Sequence, residues 1–124
     1  MTDDEKTRYL ANIYYIVMVD GDVEPVEERI FEQIAKGIGA GYFEQNKARE
    51  MAKKDDFTVT HPARWSDRIR SMEDLLAAAF SDKRLDKLEK KRMTTYAKQL
   101  GINQEQMNRI TKETKARLNE MHLY

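Results

Sequence analysis

An all-α fold, one compact bundle of about six or seven helices built from two pseudo-symmetric repeats, is what this sequence predicts. Three observations predict it. First, the chain repeats itself 62 positions apart: DGDVEPVEERIFEQIAKGIG at 20–39 returns as DKRLDKLEKKRMTTYAKQLG at 82–101. In that overlay Asp20 meets Asp82, Glu27 meets Glu89, Ala35 meets Ala97, Lys36 meets Lys98 and Gly39 meets Gly101. Second, apolar residues recur three and four apart nearly everywhere, the spacing of a helix with one buried face. Third, no segment alternates polar and apolar residues as a half-buried strand does.

Each element can be read in order. Thr2 and Glu5 are spaced as a capping box, so a first helix starts there, with Tyr9, Ile13, Ile16 and Val17 on its inner face, and runs to about Val19. Pro25 suits the first turn of a second helix, where the missing N–H costs nothing. Val26, Ile30, Ile34 and Ile38 then share a face, and Gly37, Gly39 and Gly41 close it. A third helix covers about Tyr42–Lys54. The stretch DDFTVTHP at 55–62 breaks the pattern and joins the copies, with Phe57 and Val59 able to pack as a short extended piece. After Pro62 a fourth helix carries the stripe Trp65, Ile69, Met72, Leu76 and Ala79. The fifth runs from Asp86 to Leu100 with Leu88, Met93, Tyr96, Ala97 and Leu100 inward, and Gly101 follows as its C′ residue. The sixth starts after Asn103, with Gln106 in capping-box position and Met107, Ile110, Thr114, Leu118 and Met121 inward. Residues 5–54 and 63–121 thus form the two repeats of a single domain spanning 1–124.

Composition narrows the function. The chain has 124 residues, 40% hydrophobic and 35% charged, enough apolar surface for a core beneath a heavily solvated exterior. It has no cysteine, which removes disulfides, thiolate metal sites and a thiol nucleophile. No signal-peptide pattern follows MTDDEK and no apolar run is long enough for a membrane span, so a cytoplasmic protein is expected. Net charge is zero, yet residues 1–60 hold 13 acids and 8 bases while residues 61–124 hold 9 acids and 14 bases. His61 and His122 belong to no ligand motif, no glycine-rich phosphate loop follows a strand, and no nucleophilic serine turn is present. An enzyme is not expected.

Two acidic turns stand out. Asp20, Asp22, Glu24 and Glu27 gather in the first, an oxygen-rich set suited to Ca²⁺ or Mg²⁺, although Glu24-x-x-Glu27 is also spaced as a helix cap and Glu27 is better read that way. An EF-hand is excluded, because Pro25 and Phe31 occupy the sixth and twelfth loop positions. In the second turn Asp82, Asp86 and Glu89 are better read as helix caps, since Asp86-x-x-Glu89 has capping spacing and Lys83 and Arg84 replace Gly21 and Asp22.

The pattern of an apolar helix, Asp20-Gly21-Asp22-Val23-Glu24-Pro25-Val26-Glu27, and a helix ending in Ala35-Lys36-Gly37-Ile38-Gly39 resembles the TerB-like family, named for bacterial tellurite-resistance proteins. The second copy carries the pattern less completely, through Asp82, Leu85, Asp86 and Glu89. The family is also similar to the N-terminal domain of a membrane-anchored DnaJ-like co-chaperone. The resemblance covers nearly the whole chain. It implies an internally duplicated all-helical fold, a divalent cation at Asp20, Asp22 and Glu27, and protein partners in membrane-associated stress-response assemblies. It implies no reaction.

The alternative expectation rests on the densest basic cluster, Lys83, Arg84, Lys87, Lys90, Lys91, Arg92 and Lys98, of which Lys87, Lys90, Lys91 and Lys98 lie opposite the inner stripe of the fifth helix. Such a face suits an anion, on nucleic acid or on an anionic membrane surface. Few aromatics interleave it, which counts against stacking on single strands, so nucleic acid is the less favoured partner. The opposed charges of the two halves also allow head-to-tail self-association.

Overall fold

Thr2 starts the first helix: its hydroxyl accepts the Glu5 N–H at 3.1 Å, and the Thr2 N–H donates to Glu5 Oε1 at 3.0 Å. This reciprocal cap satisfies two of the donors that a helix start leaves without partners. The structure is a computed structural model that describes residues 1–18, 23–80 and 86–120. The described residues form α1 (Asp3–Ile13), which continues into a π-helical turn (Tyr14–Met18), then α2 (Pro25–Gly37), α3 (Tyr42–Ala52), α4 (Trp65–Phe80), α5 (Lys87–Leu100) and α6 (Gln104–Glu120). The fold is all-α, and no strand occurs among the described residues. Phe57 and Val59 are half-buried in the irregular stretch that joins the copies. Phe57 packs its ring against Tyr15, with centroids 5.1 Å apart.

The chain divides into two compact units, Met1–Thr60 and His61–Tyr124. In the first, α1 and its π turn pack along α3, and α1 also touches α2. In the second, α4 packs along α6 and touches α5. The organising helix of each unit is therefore the one that opens it.

The repeat reaches further than residues 20–39 and 82–101. Ile38 and Leu100, both buried, are followed by Gly39 at φ 75° and Gly101 at φ 81°, and then by buried Ala40 and Ile102. The Ala40 N–H donates to the Ala35 carbonyl at 2.8 Å, and the Ile102 N–H to the Ala97 carbonyl at 3.0 Å. These matching bonds close α2 and α5 in the same way, around a left-handed residue that glycine adopts without a Cβ clash. A cation from the opening helix then covers each end: Lys6 Nζ donates to the Gly39 carbonyl at 3.2 Å, and Arg68 Nη1 to the Leu100 carbonyl at 3.3 Å. Lys6 and Arg68 are themselves 62 positions apart. Asn103 caps α6 through reciprocal bonds with Gln106. Gly41, its counterpart, lacks a side chain and keeps one half of that cap, with its N–H donating to Glu44 Oε2 at 3.1 Å.

Side-chain size is exchanged between the copies. The opening helix of the first unit buries Tyr14, Ile16, Val17 and Met18, while its partner α3 buries Ala48 and Ala52. In the second unit α4 buries Leu76, Ala77, Ala78 and Ala79, while α6 buries Ile110, Thr114 and Leu118. At these matched positions bulk moves across the contact, since Ile16 and Val17 become Ala78 and Ala79 while Ala48 becomes Ile110, and Met72 and Leu75 of α4 stay as large as Leu10 and Ile13 of α1.

Two inward expectations are corrected. Leu88 is 48% exposed, because Met93, Tyr96, Ala97 and Leu100 set a stripe whose earlier turn falls on Glu89 rather than Leu88. Trp65 is 49% exposed at the start of α4, with its ring near Gly101, so the buried stripe of that helix begins only at Ser71 and Met72. Val26, also expected inward, is half-buried. Expected positions Val19, Leu85 and Met121 lie outside the described residues.

Candidate functional site

The acidic turn contributes two described members. Glu24 precedes α2 as its exposed N-cap residue, and its N–H donates to Glu27 Oε1 at 3.1 Å. Glu27 is only 5% exposed, so this carboxylate acts in part as a cap at the buried edge of α2. Asp20 and Asp22 lie outside the described residues, as do Asp82, Lys83 and Arg84. Among the described residues no group of three or more His, Asp or Glu side chains gathers where a metal could be held. Asp86 behaves as the spacing predicts, its Oδ1 accepting the Glu89 N–H at 2.7 Å as the N-cap of α5.

The expected basic face is split by the geometry. Lys87, Lys90, Lys91 and Lys98 are all exposed. Lys90 and Lys98 border a cavity of about 630 Å³ in the second unit, with Lys115 of α6 a third lysine at its margin. Lys87 and Lys91 lie away from it. The floor is apolar: Leu76, Phe80, Met93, Ala97, Ile102 and Met107. Thr94 and Thr111 line the walls, and their hydroxyls donate to the carbonyls of Lys90 and Met107, each one turn back in its own helix. Among the described residues that line the trough there is no Asp or Glu, although acids and bases are equal in number over the chain. Lys115 holds its ammonium over the Phe80 ring, 5.1 Å from the centroid. None of the three lysines forms an ion pair with a carboxylate among the described residues.

The trough exists because α5 and α6 each lean on α4 and touch one another little. The first unit has the same arrangement of α2 and α3 about α1, yet there the seam is bridged. Arg49 of α3 forms an ion pair with Glu28 of α2 and lays its guanidinium over the Phe31 ring, 4.8 Å from the centroid. Lys53 sits over the Tyr14 ring at 5.7 Å. Carried 62 positions on, Glu28 becomes Lys90, Arg49 becomes Thr111, Phe31 becomes Met93 and Lys53 becomes Lys115. Lys90 and Thr111 cannot pair as Glu28 and Arg49 do, so the same seam stays open.

Met93, on the inner stripe of α5, is buried and forms part of the trough floor, and Met107, on that of α6, is half-buried. Thr111 and Lys115 carry no motif, and the signal that finds them is the 62-residue overlay extended past Gly39 into α3. A second exposed apolar feature is Tyr42 and Phe43, 75% and 76% exposed at the start of α3. No helix among the described residues is long and apolar enough to cross a membrane. No family model, no curated protein and no solved structure matches the chain.

Proposed function

We propose that this chain is a non-enzymatic binding module, and that its contact site is the lysine-rimmed trough between α5 and α6, which takes an anionic ligand with an apolar part. The observation that carries this reading is the replacement of the Glu28–Arg49 bridge by Lys90 and Thr111 at the matching positions. A bridge that closes one copy is absent from the other, and the seam there is left as a cavity with half-buried Phe80 and Met107 beside buried Met93 and Ala97, and with no acid among its described lining residues. The volume falls within the range of roughly 300–1,000 Å³ typical of ligand pockets. Lysines around an apolar floor attract negative charge and reject positive, which sets specificity and encounter rate more than raw affinity. The resemblance to TerB-like proteins, which implies protein contacts and no reaction, supports the same class of function.

The anionic apolar dye 8-anilinonaphthalene-1-sulfonate tests this reading. Saturable fluorescence enhancement is expected, weakened by salt and lost in the double variant Lys90→Glu/Thr111→Arg, which rebuilds the bridge of the first unit. No enhancement in the native chain, or equal enhancement in the variant, would remove the proposal.

A further inference from the structure

Resting on that reading of the trough, we infer that its occupant is an acidic amphipathic helix of a partner protein. The shape of the site supplies the first argument. Lys90, Thr94 and Lys98 follow one another at four-residue steps along α5, and Met107, Thr111 and Lys115 do so along α6. Each row spans about 12 Å at 1.5 Å per residue. An apolar set at i, i+3 or i+4, and i+7 of a docked helix spans about 10 Å, so the lengths agree.

The second argument concerns the open side. Lys90, Thr94, Lys98, Asn108 and Lys115 are all exposed, so the trough faces water along its length. A hydrocarbon tail lying in it would leave one side wet and forfeit roughly 25 cal/mol for each Å² not buried. A helix brings its own polar face to that side and loses nothing there. It also fits the architecture: α4 already carries α5 and α6, and a fourth helix over the seam turns three helices into a bundle of four.

Charge settles the sign of the flanks. Among the described residues three lysines that form no ion pair with a carboxylate border the trough, and no acid does. A helix with Leu or Met in its buried row and Glu or Asp on both sides of that row meets the apolar floor and all three ammonium groups together. A basic helix of the same apolar pattern meets like charge at every rim position.

The experiment titrates the intact chain with a synthetic amphipathic peptide of about 20 residues, above the roughly 12–15 at which isolated helices are marginal in water. The peptide carries Leu at i, i+4 and i+7 with Glu beside them. A scrambled peptide of the same composition, a Lys-for-Glu peptide and sodium oleate are the comparisons. The expected result is binding at least roughly tenfold tighter for the acidic amphipathic peptide than for the other two peptides and oleate. Amide shifts in the NMR spectrum should fall on α5 and α6 and spare α2 and α3, whose bridged seam serves as an internal control. The exposed-site variant Lys98→Glu, which leaves the core untouched, should weaken binding severalfold, as should Lys90→Glu/Thr111→Arg. If the dye binds and the acidic peptide does not, or if oleate binds more tightly, the helix inference fails while the trough survives as a ligand site. If neither dye nor peptide binds, both fail.

Discussion

Arg49 holds Glu28 with its guanidinium and covers Phe31 with the same group, so one side chain ties α3 to both the surface and the core side of α2. A partly exposed ion pair is worth up to about 1 kcal/mol and a cation–π contact about the same. Arg49→Ala should therefore cost about 1–2 kcal/mol, and Glu28→Gln less than half of that because the ring contact survives. Chemical denaturation of each variant checks this. Equal losses from the two would show that the ring contact contributes nothing.

The two left-handed glycines make a matched pair of tests. Gly39→Ala and Gly101→Ala each force a Cβ into positive φ, at a cost of about 1–2 kcal/mol. Gly41→Asn should instead be neutral or stabilise by a few tenths of a kcal/mol, because it restores the side-chain half of the cap that Asn103 makes with Gln106. Thermal melts of the three variants should order them accordingly.

Asn12 is buried and exchanges two hydrogen bonds with the Thr60 backbone, donating to its carbonyl and accepting its N–H at 3.1 Å. Asn12→Ala removes both and leaves a small void, for a loss of about 2 kcal/mol. Hydrogen exchange at Thr60 should quicken more than exchange in α3, since the connector loses its anchor while the α1–α3 packing persists.

Ser71 and Tyr96 share a buried hydrogen bond of 2.6 Å between α4 and α5. Tyr96→Phe deletes it at a cost of about 1 kcal/mol while keeping the ring that faces His61. Phe43→Ser, by contrast, changes a side chain that is mostly in water and should shift stability by less than about 0.5 kcal/mol. Urea titrations of both variants test the contrast.

Most of the fold was legible because local rules and packing agree here. The caps at Thr2, Asp86 and Asn103, the proline at the start of α2 and the glycines after Ile38 and Leu100 all act as their spacing indicates. Leu88 misled because the stripe of α5 falls on Glu89 in that turn, and Trp65 because it lies two turns before the buried stripe of α4, where periodicity continues but burial does not. The π turn at Tyr14–Met18 has no signature in the sequence, since all but Tyr15 of its residues are buried and apolar whichever helix type they form. The candidate site was half legible. Lys90 stood out by charge, whereas Thr111 and Lys115 come from a helix 20 residues further on and gain meaning only beside Arg49 and Lys53.

The exchange of large and small side chains between the opening and closing helices also governs how the duplicated chain sorts itself during folding. Pairing α1 with α6 would set Ile16 and Val17 against Ile110 and Leu118, an overfilled contact costing about 1–3 kcal/mol. Pairing α4 with α3 would set Ala78 and Ala79 against Ala48 and Ala52 at one end of the contact and leave holes there, at a cost of the same order. Mismatched copies are the characteristic error of repeat proteins. Here residue volume serves as an address that sends each opening helix to the partner within its own copy.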